Sequence, residues 1–208
     1  MFRVLMLAAL MVAFAAPMLA PHSAEACHNG VRHRVDPNVK LITSAEKAAR
    51  RGDFAHAIKN LKRLDANAGA NLHRRAMRTH ALIVVRTKGA QGLPRRARLN
   101  KNLKHRDAAI DWAITTLRKQ LGRTDNVTLR AHLAEGLALT TDGAKEALDM
   151  LERLDKEGLI AEPQTYAALA TLRRAQGNQA GTASALKKCR QIAVDTAICD
   201  AVIQADEG

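Results

Sequence analysis

Aromatic side chains make up only 2% of the 208 residues, too few for the interior of a large β-sheet protein, whose strands favour aromatic and β-branched residues. Alanine and leucine abound instead, the composition of closely packed helices. The spacings that carry catalysis are missing too. There is no glycine-rich phosphate loop, no His-Glu-x-x-His pair and no nucleophile elbow, and nowhere a nucleophile, base and orienting group at a defined spacing. The chain therefore reads as non-catalytic and without a cofactor or metal. Acid is absent from one long stretch: between Ala66 and Arg106 no Asp or Glu occurs. Arg74, Arg75, Arg78, Arg86, Lys88, Arg95, Arg96, Arg98, Lys101, Lys104 and Arg106 are all basic there, nearly the whole net charge of +13.

Long apolar runs are confined to the first residues. Arg3 forms a short basic head, Val4 to Ala16 is continuously apolar, Pro17 breaks the run, and Ala24 with Ala26 makes a small-x-small cleavage pattern before Cys27. Residues 1–26 thus read as a signal peptide and the chain as exported, with the bacterial periplasm as its expected compartment. Cleavage there leaves Cys27 first, which raises lipidation and an outer-membrane location as an alternative. Glu25 counts against it. No later stretch approaches the roughly 20 apolar residues of a spanning helix. Residues 27–36 form a polar leader; Cys27, His28 and His33 are metal-ligand types, but no second cluster closes a site.

From residue 37 onward the apolar period is helical. Asp36 before Pro37 makes a helix opening. Ala45, Ala48 and Ala49 stripe one helix, Gly52 stops it, and Asp53 caps a second carrying Phe54, Ala57, Ile58, Leu61 and Leu64. Asn71 is placed to cap a third helix over 72–86, after which 88–104 interrupts the pattern as a basic insertion. Spacing resumes at Ala109, Ile110, Ala113 and Leu117. Leu129, Leu133 and Leu137 then face a return helix of Ala147, Leu148, Leu151 and Leu154 across Asp142 and Gly143. Glu162 and Pro163 open another helix, with Gly177 and Asn178 at its turn. A short helix from Asp195 to about Ala205 closes the chain.

The turn residues Gly52, Asp53 and Phe54, with Ala57 and Ile58 three and four positions on, resemble a tetratricopeptide repeat. Ala147 and Thr182 occupy positions equivalent to Ala57 and stand 35 apart, near the family period of roughly 34. This resemblance, covering 37–208, implies an all-α solenoid of about four stacked antiparallel hairpins with a C-terminal capping helix. A single helical bundle is the alternative that periodicity leaves open. The resemblance also implies a concave groove for a peptide or protein, acidic partners included, lined by the first helix of each pair. By register its residues are Ile42, Glu46, Arg50, His132, Leu139, Thr171 and Arg174. The family's Lys and Asn set for clamping a terminal carboxylate is missing.

The expected activity is an exported protein–protein interaction scaffold. The alternative is a module for anionic envelope polymers or lipid headgroups, in which Arg86, Lys88, Arg95, Arg96, Arg98, Lys101, Lys104 and Arg106 hold the anion. A merely solvated basic loop is the plain reading of the same run. Nucleic acid is disfavoured, since only Phe54, Trp112 and Tyr166 remain beyond the signal to stack on bases. His73 and His80, flanked by arginines, read as surface histidines. Cys189 and Cys199 are the expected disulfide in an oxidising compartment. On one continuous helix they would stand roughly 15 Å apart, so the bond requires a turn near Asp195.

Overall fold

The computed structural model describes residues 35–98 and 105–204. The expected signal peptide, the first part of the leader, and Lys101 and Lys104 lie outside the described residues. Among the described residues the regular structure is entirely helical: α1 Pro37–Arg50, α2 Phe54–Lys62, α3 Ala70–Arg86, α4 Arg95–Arg98, α5 Arg106–Leu121, α6 Val127–Leu137, α7 Ala144–Lys156, α8 Pro163–Ala175, α9 Gln179–Ile192 and α10 Ala197–Gln204. No helix among them is long and apolar enough to cross a membrane.

Local chemistry explains most boundaries. The Asp36 carboxylate accepts from the Asn38 N–H at 2.7 Å and Pro37 opens α1. Gly52, at φ 84°, takes the left-handed turn that costs glycine least, and the Asp53 carboxylate then caps α2 at the His56 N–H. Asn126 and Asn178 cap α6 and α9 in the same way. Asn71 does not cap α3. That helix starts one residue earlier, at Ala70 after Gly69, with no side-chain cap.

Consecutive helices pack as neighbours: α1 with α2, α3 with α5, α6 with α7, and α8 with α9, while α10 lies mainly on α8. The first members also touch in order, α1 on α3, α3 on α6, and α6 on α8. α3 joins two apolar clusters. Leu82 and Ile83 belong to the one formed with α1 and α2, and Ala81, Val84 and Val85 to the larger one that runs through α5 to α10. Ala45, Ala48 and Ala49 are fully buried; with only a methyl at each position, α2 and α3 can come close to α1.

The first half of the expected insertion is ordered onto α3. Gly92 is buried at φ 100°, and a Cβ there would meet the Ile83 side chain at 2.8 Å. The Gly92 carbonyl accepts a hydrogen bond from His80 Nδ1 at 2.5 Å. His80 is therefore a buried histidine that ties this loop down, which corrects its surface assignment, while His73 is exposed as expected.

At the other end α9 stops at Ile192, and Ala193 adopts an extended conformation. The Asp195 carboxylate then accepts from the Ala197 N–H at 2.9 Å. That turn brings Cys189 and Cys199 to a Cα–Cα distance of 6.0 Å, and the two are disulfide-bonded.

Candidate functional site

Three of the first helices send charged groups to one buried point. Arg86, the last residue of α3, follows the apolar run Leu82 to Val85 and reaches carboxylates of α6 and of the start of α8. Its Nε and Nη2 donate to both oxygens of Glu135 on α6, each at 3.0 Å, and Nη2 also donates to Glu162 at the start of α8. The Arg86 and Glu135 side chains are each only 4% exposed. Thr165, one turn into α8, donates its hydroxyl to Glu135 at 2.6 Å. His132, one turn before Glu135, holds its Nε2 3.4 Å from both Glu162 oxygens. Glu162 is the N-cap residue of α8, yet its carboxylate makes no cap hydrogen bond, because this network uses it instead.

Burial alone would push the Glu162 carboxyl up. The hydrogen bond from His132 and the charge of Arg86 outweigh it and hold the group at about 2. Burial likewise opposes the Arg86 charge, but the two carboxylates keep its pKa above the ordinary arginine value.

His132, Glu135 and Glu162 place potential ligand atoms within 4.8 Å of one another, a spacing that suits a divalent ion. The Arg86 guanidinium already donates to both carboxylates, so it supplies the positive charge a metal would bring. The group is an ion-pair network and offers no fit for a cation.

Sharing His132 with this network is an open cleft of about 220 Å³. Helix α1 lines it with Glu46 and Arg50, and α3 with Arg78, Thr79 and Leu82. Helix α6 supplies Thr128, Leu129 and His132, together with its N-cap Asn126. Glu46 is neutralised by Arg75, whose Nε and Nη2 reach its two oxygens at 2.9 and 2.7 Å. Arg50 and Arg78 form no ion pair among the described residues. The Arg50 carbonyl accepts from Arg86 and from Gln164, both at 3.4 Å, which ties α1 to α3 and α8 at a residue that lines the cleft.

Of the expected groove residues, Glu46, Arg50 and His132 therefore meet in one cleft. Ile42 does not line it: at 1% exposure it is part of the core, since the position one turn before Glu46 faces α2 and α3. Leu139 packs on the larger apolar cluster just beyond α6. Thr171 is exposed on α8, and Arg174 donates to the Val202 carbonyl of α10, so both lie outside the cleft lining. Arg78, Thr79 and Leu82 were missed because the insertion obscured the register of α3; their spacing on one helical face was the available signal.

The expected anion-binding set also divides. Arg86 leaves it, consumed by Glu135 and Glu162. Lys88, Arg95 and Arg106 are exposed. The side chains of Arg96 and Arg98, like Lys101 and Lys104, lie outside the description.

No family model, curated protein or solved structure matches the chain.

Proposed function

We propose that this chain is an exported, tetratricopeptide-like stack of four helical hairpins, closed by α10, that acts as a non-catalytic scaffold and holds a peptide segment of a protein partner in the α1–α3–α6 cleft. One observation carries the reading: Glu46 and Arg50 on α1 and His132 on α6, assigned to one groove by repeat register alone, line the same cleft with α3 between them. A cleft of about 220 Å³ is below the roughly 300–1,000 Å³ of small-molecule sites. It suits one or two side chains of an extended peptide. The Cys189–Cys199 bond supports export, because such bonds persist in oxidising compartments.

Panning a random peptide library on the purified full chain tests this reading. Selected peptides should lose binding to Thr128→Trp, which fills the cleft from an exposed position on α6, while the helical circular dichroism signal is kept. Peptides that bind wild type and Thr128→Trp equally would remove the cleft from the reading.

A further inference from the structure

The chain is basic throughout 66–106, but the fold decides which of those charges are available. Arg75 is matched by Glu46 at 2.7 Å and Arg86 by Glu135 and Glu162, so neither offers net attraction to a ligand. Arg78 is half-buried, lines the cleft and pairs with nothing among the described residues. Arg50, exposed at the end of the neighbouring α1, lines the same cleft and also forms no ion pair among the described residues. Once Glu46 is cancelled by Arg75, the cleft wall carries two uncompensated guanidinium groups from two different helices.

An unpaired arginine that is half-removed from water is the kind of group a carboxylate pairs with in bidentate fashion. Arg78 is such a group, and with the exposed Arg50 on the adjoining helix it favours an occupant with more than one acid, while the small volume limits that occupant to side chains. The lining hydroxyl of Thr128 and amide of Asn126 can donate to the same oxygens.

We infer that the cleft selects an acidic peptide segment, with Arg50 and Arg78 as the specificity-determining residues. This rests on the cleft reading above and adds the chemistry of its ligand.

Probes are fluorescein-labelled Gly-Ser peptides carrying a run of Glu, the same run as Gln, and the same run as Lys, titrated against the full chain by anisotropy. The Glu peptide should bind at least about tenfold tighter than the Gln peptide at low salt, and this advantage should shrink as salt rises from about 50 to about 300 mM. Arg78→Gln and Arg50→Gln should each weaken the Glu peptide roughly five- to tenfold, with helicity unchanged. Lys119→Gln, which removes an exposed charge on α5 outside the lining, should leave binding as it was.

Gln and Glu peptides that bind equally, and both lose binding to Thr128→Trp, would overturn acid selection while leaving the cleft reading intact. Glu binding that survives Arg50→Gln, Arg78→Gln and Thr128→Trp, or that dextran sulfate competes away equally from every variant, would show a diffuse basic surface and overturn both.

Discussion

Arg86 is one guanidinium facing two carboxylates, and its loss leaves both acids buried without their cation. Breaking one partner of a buried network costs roughly 3–5 kcal/mol, so Arg86→Met should lower the unfolding free energy by that order in a urea titration. Glu162 gives the same network a pH signature. Its pKa falls from an ordinary 4.5 to about 2 on folding, a difference worth about 3 kcal/mol. Because the folded value is depressed, this stability is fully present above the unfolded pKa and is lost as pH falls from about 4.5 through about 2. The stability gap between wild type and Glu162→Gln should therefore close over that range; a gap that stays constant to the acid end would show that the carboxylate charge contributes nothing. Nothing local in the sequence announces this network. Arg86 reads as one more basic residue of a basic stretch, Glu135 as an acid on a helix, and Glu162 as an N-cap. Only the convergence of α3, α6 and α8 turns them into partners.

The closing element shows how much a helix depends on its attachment. α10 has only eight residues, too short for stability on its own, and buries little beyond Cys199 and Val202. The disulfide to Cys189 holds it on α8 and α9, helped by Arg190 donating to Asp200 at 2.7 Å and Arg174 donating to the Val202 carbonyl. Closing so short a loop contributes about 3 kcal/mol in the chain-entropy account. Replacing both cysteines by Ser should lower stability by that order and raise amide exchange in α10 first. Protection of α10 unchanged from wild type would show that its apolar contacts suffice. This element was legible in the sequence, because a bond between Cys189 and Cys199 required the helix to break and Asp195 marked a place for the turn. The loop after α3 was not. Its docking depends on His80 and on Gly92 meeting Ile83, contacts that no local pattern encodes.

Across the molecule the core is uneven. The cluster holding α1, α2 and part of α3 has nine buried residues, five of them alanine, and so removes little apolar area per residue from water. The cluster through α5 to α10 is larger, with ten leucines among its 28 buried residues. Local opening follows such differences. Native-state hydrogen exchange should therefore find α1 and α2 opening at lower free energy than α6 to α8, with α3 divided between the two regimes. Equal protection throughout would mean that the Arg50 carbonyl contacts to Arg86 and Gln164 couple the two clusters fully. The same asymmetry matters for the proposed cleft, whose α1 wall belongs to the weaker cluster and whose α6 wall belongs to the stronger one.

Helical class and the boundaries set by Asp36, Asp53, Asn178 and Asp195 follow from the sequence alone, because caps and apolar period are properties of a few neighbouring residues; the Cys189–Cys199 pairing was an expectation that the turn after α9 made possible. Which arginines are spent on buried carboxylates and which remain free to meet a ligand was decided only by tertiary structure. Charge is written into the chain one residue at a time, whereas its cancellation depends on helices far apart in sequence being brought within hydrogen-bonding distance.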